Sequence, residues 1–157
     1  MENKYNLTRE QAVFIAKRNI VDYIWKSANL EGIGVTYPET QSIYNGGIAN
    51  GLTVDQIIAI NNLKYAWQFI LEESEITYDF KSLCYIHKLV CDKLVLKQNL
   101  GQLRTTPVNI GGTTWKPQFP IESQIKEELE EILSQEGKSK TEIALEVMLF
   151  IMRRQMF

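Results

Sequence analysis

Three times along this chain a Ser or Thr stands three residues before a Gln or Glu at the head of an apolar run: Thr8 with Gln11, Thr53 with Gln56, and Ser139 with Glu142. Each pair makes a capping box. The hydroxyl accepts the N–H of the third helical residue, and that residue's side chain accepts the N–H of the cap. Behind each box the apolar residues recur at helical spacing. They are Val13, Ala16, Ile20 and Ile24 in a helix running to about Ser27, then Ile57, Ile60, Leu63, Trp67 and Ile70, and finally Ala144, Val147 and Ile151. Asp79 can cap another helix, with Leu83, Ile86, Val90 and Leu94 inward as far as Asn99–Gly101. Pro120-Ile121-Glu122 opens one more, lined by Ile125, Leu129 and Ile132 and closed by Gly137. A short helix is expected over Tyr37–Tyr44, ended by Asn45-Gly46-Gly47. The expected fold class is mainly α, in one domain spanning residues 1–157.

One stretch breaks the pattern. Gly101 to Pro120, GQLRTTPVNIGGTTWKPQFP, holds three of the chain's four prolines. Leu103 to Ile110 favours extended backbone, because Thr105 and Thr106 are β-branched and Thr106 precedes Pro107. Gly111-Gly112 then signals a two-residue turn, with Thr113 to Lys116 as the returning strand. The expectation is a β-hairpin among helices. Its unpaired edge either accepts an extended peptide through main-chain hydrogen bonds or simply caps a helical core.

Composition narrows the function classes. With 45% hydrophobic and 23% charged residues the chain is ordinary globular protein, and its net charge of -2 offers no footprint for nucleic acid. The most apolar run, Ile143–Met152, contains Glu146 and is too short to span a membrane. The leading MENKYNLTREQ lacks the apolar core of a secretory signal, so a cytoplasmic protein is expected. Cys84 and Cys91 lie seven apart on an expected helix with His87 between them. Spread over about 10 Å of one helix face, the three cannot converge on a metal unaided, so apolar packing is the favoured role and no metal site is expected. Trp67 and His87 read as structural, and Glu72, Glu73 and Glu75 as an ordinary acidic turn.

Ser27-Ala28-Asn29-Leu30-Glu31-Gly32 ends the first helix, with Gly32 suited to a left-handed stop. A carboxylate at Glu31 opposes the helix dipole by about a few tenths of a kcal/mol, which leaves it either solvated or met by a cation.

Two of these stretches, with the chain's last residues, resemble one family. The Gly, Leu-Arg, Val, Ile-Gly-Gly, Trp and Pro of residues 101–120 resemble the flap of Fic domains. Ser27, Glu31 and Gly32 match the spacing of the inhibitory motif found in many of them, and Ile33, Thr36, Glu39 and Thr40 resemble its continuation. Phe157 matches the Phe of the family's active motif, His-x-Phe-x-(Asp or Glu)-Gly-Asn-(Gly or Lys)-Arg-x-x-Arg, with Gln155 where the His stands. The resemblance implies a Fic-like fold whose N-terminal element, residues 1–36, carries an inhibitory Glu31 that reaches an active-site Arg. It implies transfer of AMP from ATP, with Mg²⁺, to a Ser, Thr or Tyr hydroxyl. The implied partner is a target protein docked on Thr105, Val108, Ile110, Gly111, Gly112, Thr113 and Trp115. An amide at Gln155 cannot serve as general base, and the acidic, phosphate-binding part of the motif would follow Phe157. The chain as it stands is therefore expected to transfer nothing. Arg153 and Arg154 are expected at a solvated helix end. The rival readings are a catalytically dead module binding a peptide at the flap edge, Thr105 to Trp115, and a helical scaffold without a ligand.

Overall fold

The computed structural model of the protein describes residues 5–72 and 76–157. Among the described residues seven α-helices form: α1 (Arg9–Arg18), α2 (Ile20–Leu30), α3 (Tyr37–Tyr44), α4 (Val54–Glu72), α5 (Phe80–Cys91), α6 (Glu122–Leu133) and α7 (Lys140–Arg154). A 3-10 turn occupies Lys97–Asn99, and no strand occurs among the described residues. The mainly α expectation holds and the hairpin does not. Glu73 and Glu75 of the expected acidic turn, like the first four residues, lie outside the described residues.

The fold gathers into two compact units. One comprises the described residues of Leu7–Ile76 with Ile86–Leu100, and the other those of Met1–Asn6 with Thr77–Tyr85 and Gly101–Phe157. In the first, α2 packs on both α3 and α4, and α1 on α4. Ile20, Ile24 and Ala28 recur every four residues along α2 and are buried with Val35, Ile43 and Ile60. Trp25, Trp67 and Leu63 pack around them. Burying each large aliphatic side chain contributes about 1.5–3 kcal/mol, so this stripe is what holds α2, α3 and α4 together.

Helix ends follow local chemistry. All three expected capping boxes are made, Thr8 with Gln11, Thr53 with Gln56 and Ser139 with Glu142. A fourth joins Thr36 to Glu39 at the head of α3. The first expected helix is interrupted at Asn19, whose side-chain amide donates to the Ile15 carbonyl at 2.8 Å. It resumes as α2 and runs on to Leu30 rather than Ser27. There it ends in a Schellman turn: Ile33 N–H reaches the Ala28 carbonyl at 2.9 Å, and Gly32 N–H reaches that of Asn29 at 3.1 Å. Gly32 takes φ 75°, as the sequence suggests.

Helix α5 stops at Cys91, short of the expected Asn99. The buried Asn62 side chain on α4 donates to the carbonyls of Val90 at 3.1 Å and Asp92 at 2.7 Å, supplying partners that a further helical turn would have supplied. Lys93 then turns the chain with φ 61°, and Leu94 is exposed rather than inward.

In the second unit α6 packs on α7. Ile125, Leu129, Phe150 and Met156 are buried, with Leu83, Ile132, Val147, Ile151 and Phe157 packed around them. Helix α6 ends at Leu133, four residues before Gly137, where the Ser134 hydroxyl turns back to the Glu131 carbonyl at 3.2 Å. On α7 the inward face centres on Phe150, and Ala144 is exposed instead of buried. No helix is long and apolar enough to cross a membrane among the described residues.

Asp79 and His87 are among the groups that make stability depend on pH. The Ser82 N–H at 2.7 Å holds the Asp79 carboxyl below its ordinary value at the head of α5, as an N-cap should. Burial holds the His87 imidazole below its ordinary value. A depressed folded pKa gives stability that is complete above the unfolded value and is lost as the pH falls through the folded one. For His87, the chain's one histidine, the loss begins below about 6.5; for Asp79, below about 3.9. The thermal midpoint should thus be level from pH 8 to about 6.5 and decline towards pH 5, and His87→Gln should flatten that decline. An unaltered pH profile in the variant would assign the decline to another group.

Candidate functional site

The segment expected to form a hairpin is an irregular strap held by one arginine. Gly112 takes φ 76°, so the Gly-Gly turn is real. No backbone hydrogen bond joins 103–110 to 113–116 among the described residues. Thr113 instead accepts the Trp115 N–H on its own hydroxyl at 3.1 Å. The physical reason lies in the prolines and in Arg104. Pro107, Pro117 and Pro120 have no N–H to give a ladder, and Pro117 and Pro120 are buried. The Arg104 guanidinium takes one carbonyl that the first strand would have used and another beyond the second. Nη1 donates to Thr106 O at 2.9 Å and Nη2 to Gln118 O at 2.6 Å. Its planar fork suits several acceptors at once.

Arg104 also fastens the strap to the end of α7. Its backbone N–H donates to Met156 O at 2.9 Å, and its Nε to Gln155 O at 2.6 Å. The ring of Phe119 lies 5.9 Å from the guanidinium carbon. A second arginine supports the junction. Arg154, expected at a solvated helix end, is largely buried along its side chain, at 17% exposed. Its Nε donates to Glu128 Oε2 on α6 at 2.7 Å and its Nη2 to the same oxygen, while Nη1 donates to Gln118 Oε1 at 2.8 Å. The strap, α6 and the end of α7 therefore converge on Gln118, Arg104 and Arg154. None of the three was among the residues singled out for function. The signal available was a segment with more carbonyls than N–H donors around a single Arg.

At this junction Gln155 ends α7 in the left-handed conformation, φ 42° and ψ 51°, and its side-chain amide donates to Met152 O at 2.9 Å. Met156 is buried and Phe157 packs on the α6–α7 core. Of the expected docking residues, Val108 and Ile110 are half-buried, while Thr105, Gly111, Gly112, Thr113 and Trp115 are exposed. Trp115 at 46% and Phe119 at 52% present the strap's aromatic surface.

The other expected site belongs to the α1–α4 unit. Ser27 lies within α2, where its carbonyl accepts the Glu31 N–H at 3.2 Å, and Glu31 stands exposed at the C-cap beside Gly32. Val35, just beyond, is buried, and its carbonyl accepts both Trp25 Nε1–H at 3.0 Å and the Asn29 side-chain amide at 3.0 Å. Gln56, the capping residue of α4, reaches the preceding Gly34 carbonyl at 3.3 Å.

Burial pushes both thiols up, Cys84 with the Glu122 carboxylate adding to it and Cys91 with that of Glu31, which disfavours thiolate chemistry at either. Among the described residues no three His, Cys, Asp or Glu side chains are placed to hold a metal ion. Compared with family models, curated proteins and solved structures, the chain matches none.

Proposed function

We propose that this chain carries the N-terminal and central part of a Fic-type domain, whose activity is transfer of AMP from ATP and Mg²⁺ to a hydroxyl of a target protein in the cytoplasm. One observation carries the reading. The strap that would dock the target is fastened through Arg104 to Gln155 and Met156, the residues that would open the active motif. Transfer needs the hydroxyl and the phosphates held in one geometry, and a docking segment tied to the first residues of the catalytic loop provides that coupling. The target would be held through the exposed Trp115 and Thr113 around the Gly111-Gly112 turn, in place of a preformed strand edge.

Gln155 limits the chemistry. Its amide takes no proton at neutral pH, so hydroxyl activation at this position is weak, and general-base catalysis is worth about 10²–10⁴ in rate. The test is labelling of co-incubated protein by α-labelled ATP. The chain ending at Phe157 should give no more label than a control without protein. The native gene product should bind ATP if acidic-Gly-Asn-Lys/Arg follows Phe157, and Gln155→His should raise its transfer rate at least tenfold. A native product that carries that sequence but neither binds ATP nor transfers label would sink the reading.

A second reading, a protein-binding module without catalysis, is favoured by the exposed aromatic pair Trp115 and Phe119. It requires Trp115→Ala to abolish partner capture in a protein that never transfers AMP.

A further inference from the structure

We infer that Trp25 and Asn29 form a clip on the Val35 carbonyl that positions Glu31, and so control the restraint that Glu31 exerts; the inference rests on the reading of Glu31 as inhibitory. Helix α2 must leave its last carbonyls to outside donors. The Schellman turn uses those of Ala28 and Asn29. The Asn29 side-chain amide then bonds in two directions, back to Trp25 O at 2.9 Å and forward to Val35 O at 3.0 Å. Trp25 Nε1–H meets the same Val35 oxygen at 3.0 Å. The indole is itself oriented edge-on to the Tyr37 ring, with centroids 6.0 Å apart. Gln56 Nε2 holds the adjoining Gly34 carbonyl.

The five residues Glu31 to Val35 are therefore tied at one end to the backbone of α2 and at the other to side chains of α2 and α4. Glu31 is exposed, yet its backbone has little freedom, and Gly32 with φ 75° is the only left-handed joint in the turn. A carboxylate that must reach one cation gains from such pre-organisation, since less freedom is lost when the contact forms. Trp25 and Asn29 are positioning residues in this scheme, acting through the place they give to Glu31.

Trp25→Phe keeps the ring and removes the N–H; Asn29→Ala removes both amide bonds. In the native gene product, each should speed amide exchange at Ile33 and Val35 about tenfold and raise AMP transfer towards the level of Glu31→Ala. Combined with Glu31→Ala, neither should raise transfer further. A purely structural loss would instead change transfer equally whether or not Glu31 is present. The inference is overturned if exchange quickens while transfer does not, or if the rise survives in the Glu31→Ala background. Should Glu31→Ala itself leave transfer unchanged, the inhibitory reading fails and the clip's control fails with it. Unchanged exchange would instead show that the clip does not hold the turn.

Discussion

Replacing Ile24 by Ala should lower the stability of the α1–α4 unit by about 2–5 kcal/mol, the range for truncating a fully buried aliphatic side chain. Ile24 has no exposed surface and lies on α2, the helix that packs on both α3 and α4. Ala keeps the helix propensity, so the loss reports the cavity and the missing contacts rather than a broken helix. The check is urea unfolding followed by tryptophan fluorescence. Trp25 and Trp67 pack on the same cluster as Ile24, so the emission change reads this unit closely. The midpoint should fall with the slope unchanged. Leu30→Ala serves as the control: Leu30 is 87% exposed in the same helix, and its truncation should stay within about 0.5 kcal/mol of the parent. Equal losses in the two variants would mean that α2 is not packed as described.

Arg104→Ala should release the strap. It removes the guanidinium bonds to Thr106, Gln118 and Gln155 together. Hydrogen bonds from a charged donor contribute about 1.5–3 kcal/mol each, but these carbonyls are near water once freed, so a combined cost of about 2 kcal/mol is expected. That amounts to local opening about 30-fold more frequent. Chymotrypsin cutting after Trp115 should quicken by that factor while α-helical circular dichroism stays constant. Arg104→Lys should recover only part of the protection, because an ammonium on a flexible stem lacks the fork that meets three carbonyls at once. Cleavage unchanged by Arg104→Ala would show that the buried Pro117 and Pro120 hold the strap alone.

What could be read from the sequence was what depends on near neighbours. A capping box needs only four residues, and every expected one formed; Thr36-Tyr37-Pro38-Glu39 carries the same signal and was legible too. The Gly111-Gly112 turn was likewise local and real. The hairpin was not, because a strand is completed by its partner, and here Arg104 supplied the partner from the side. Nothing near Val90 in sequence announces that Asn62, twenty-eight residues earlier, will take its carbonyl and end α5. Arg154 looked like a surface charge because its acceptors, Glu128 and Gln118, are likewise distant along the chain.

The left-handed backbone at Gln155 bears on which other side chains this position could take. A side chain with a Cβ sits there at some cost, and β-branched residues are nearly excluded, whereas Asn, Asp and His are several-fold enriched in this conformation. The route from an amide to an imidazole at this position therefore demands no rearrangement of the main chain: α7 already ends in a bend that a histidine accepts more readily than the glutamine now in it.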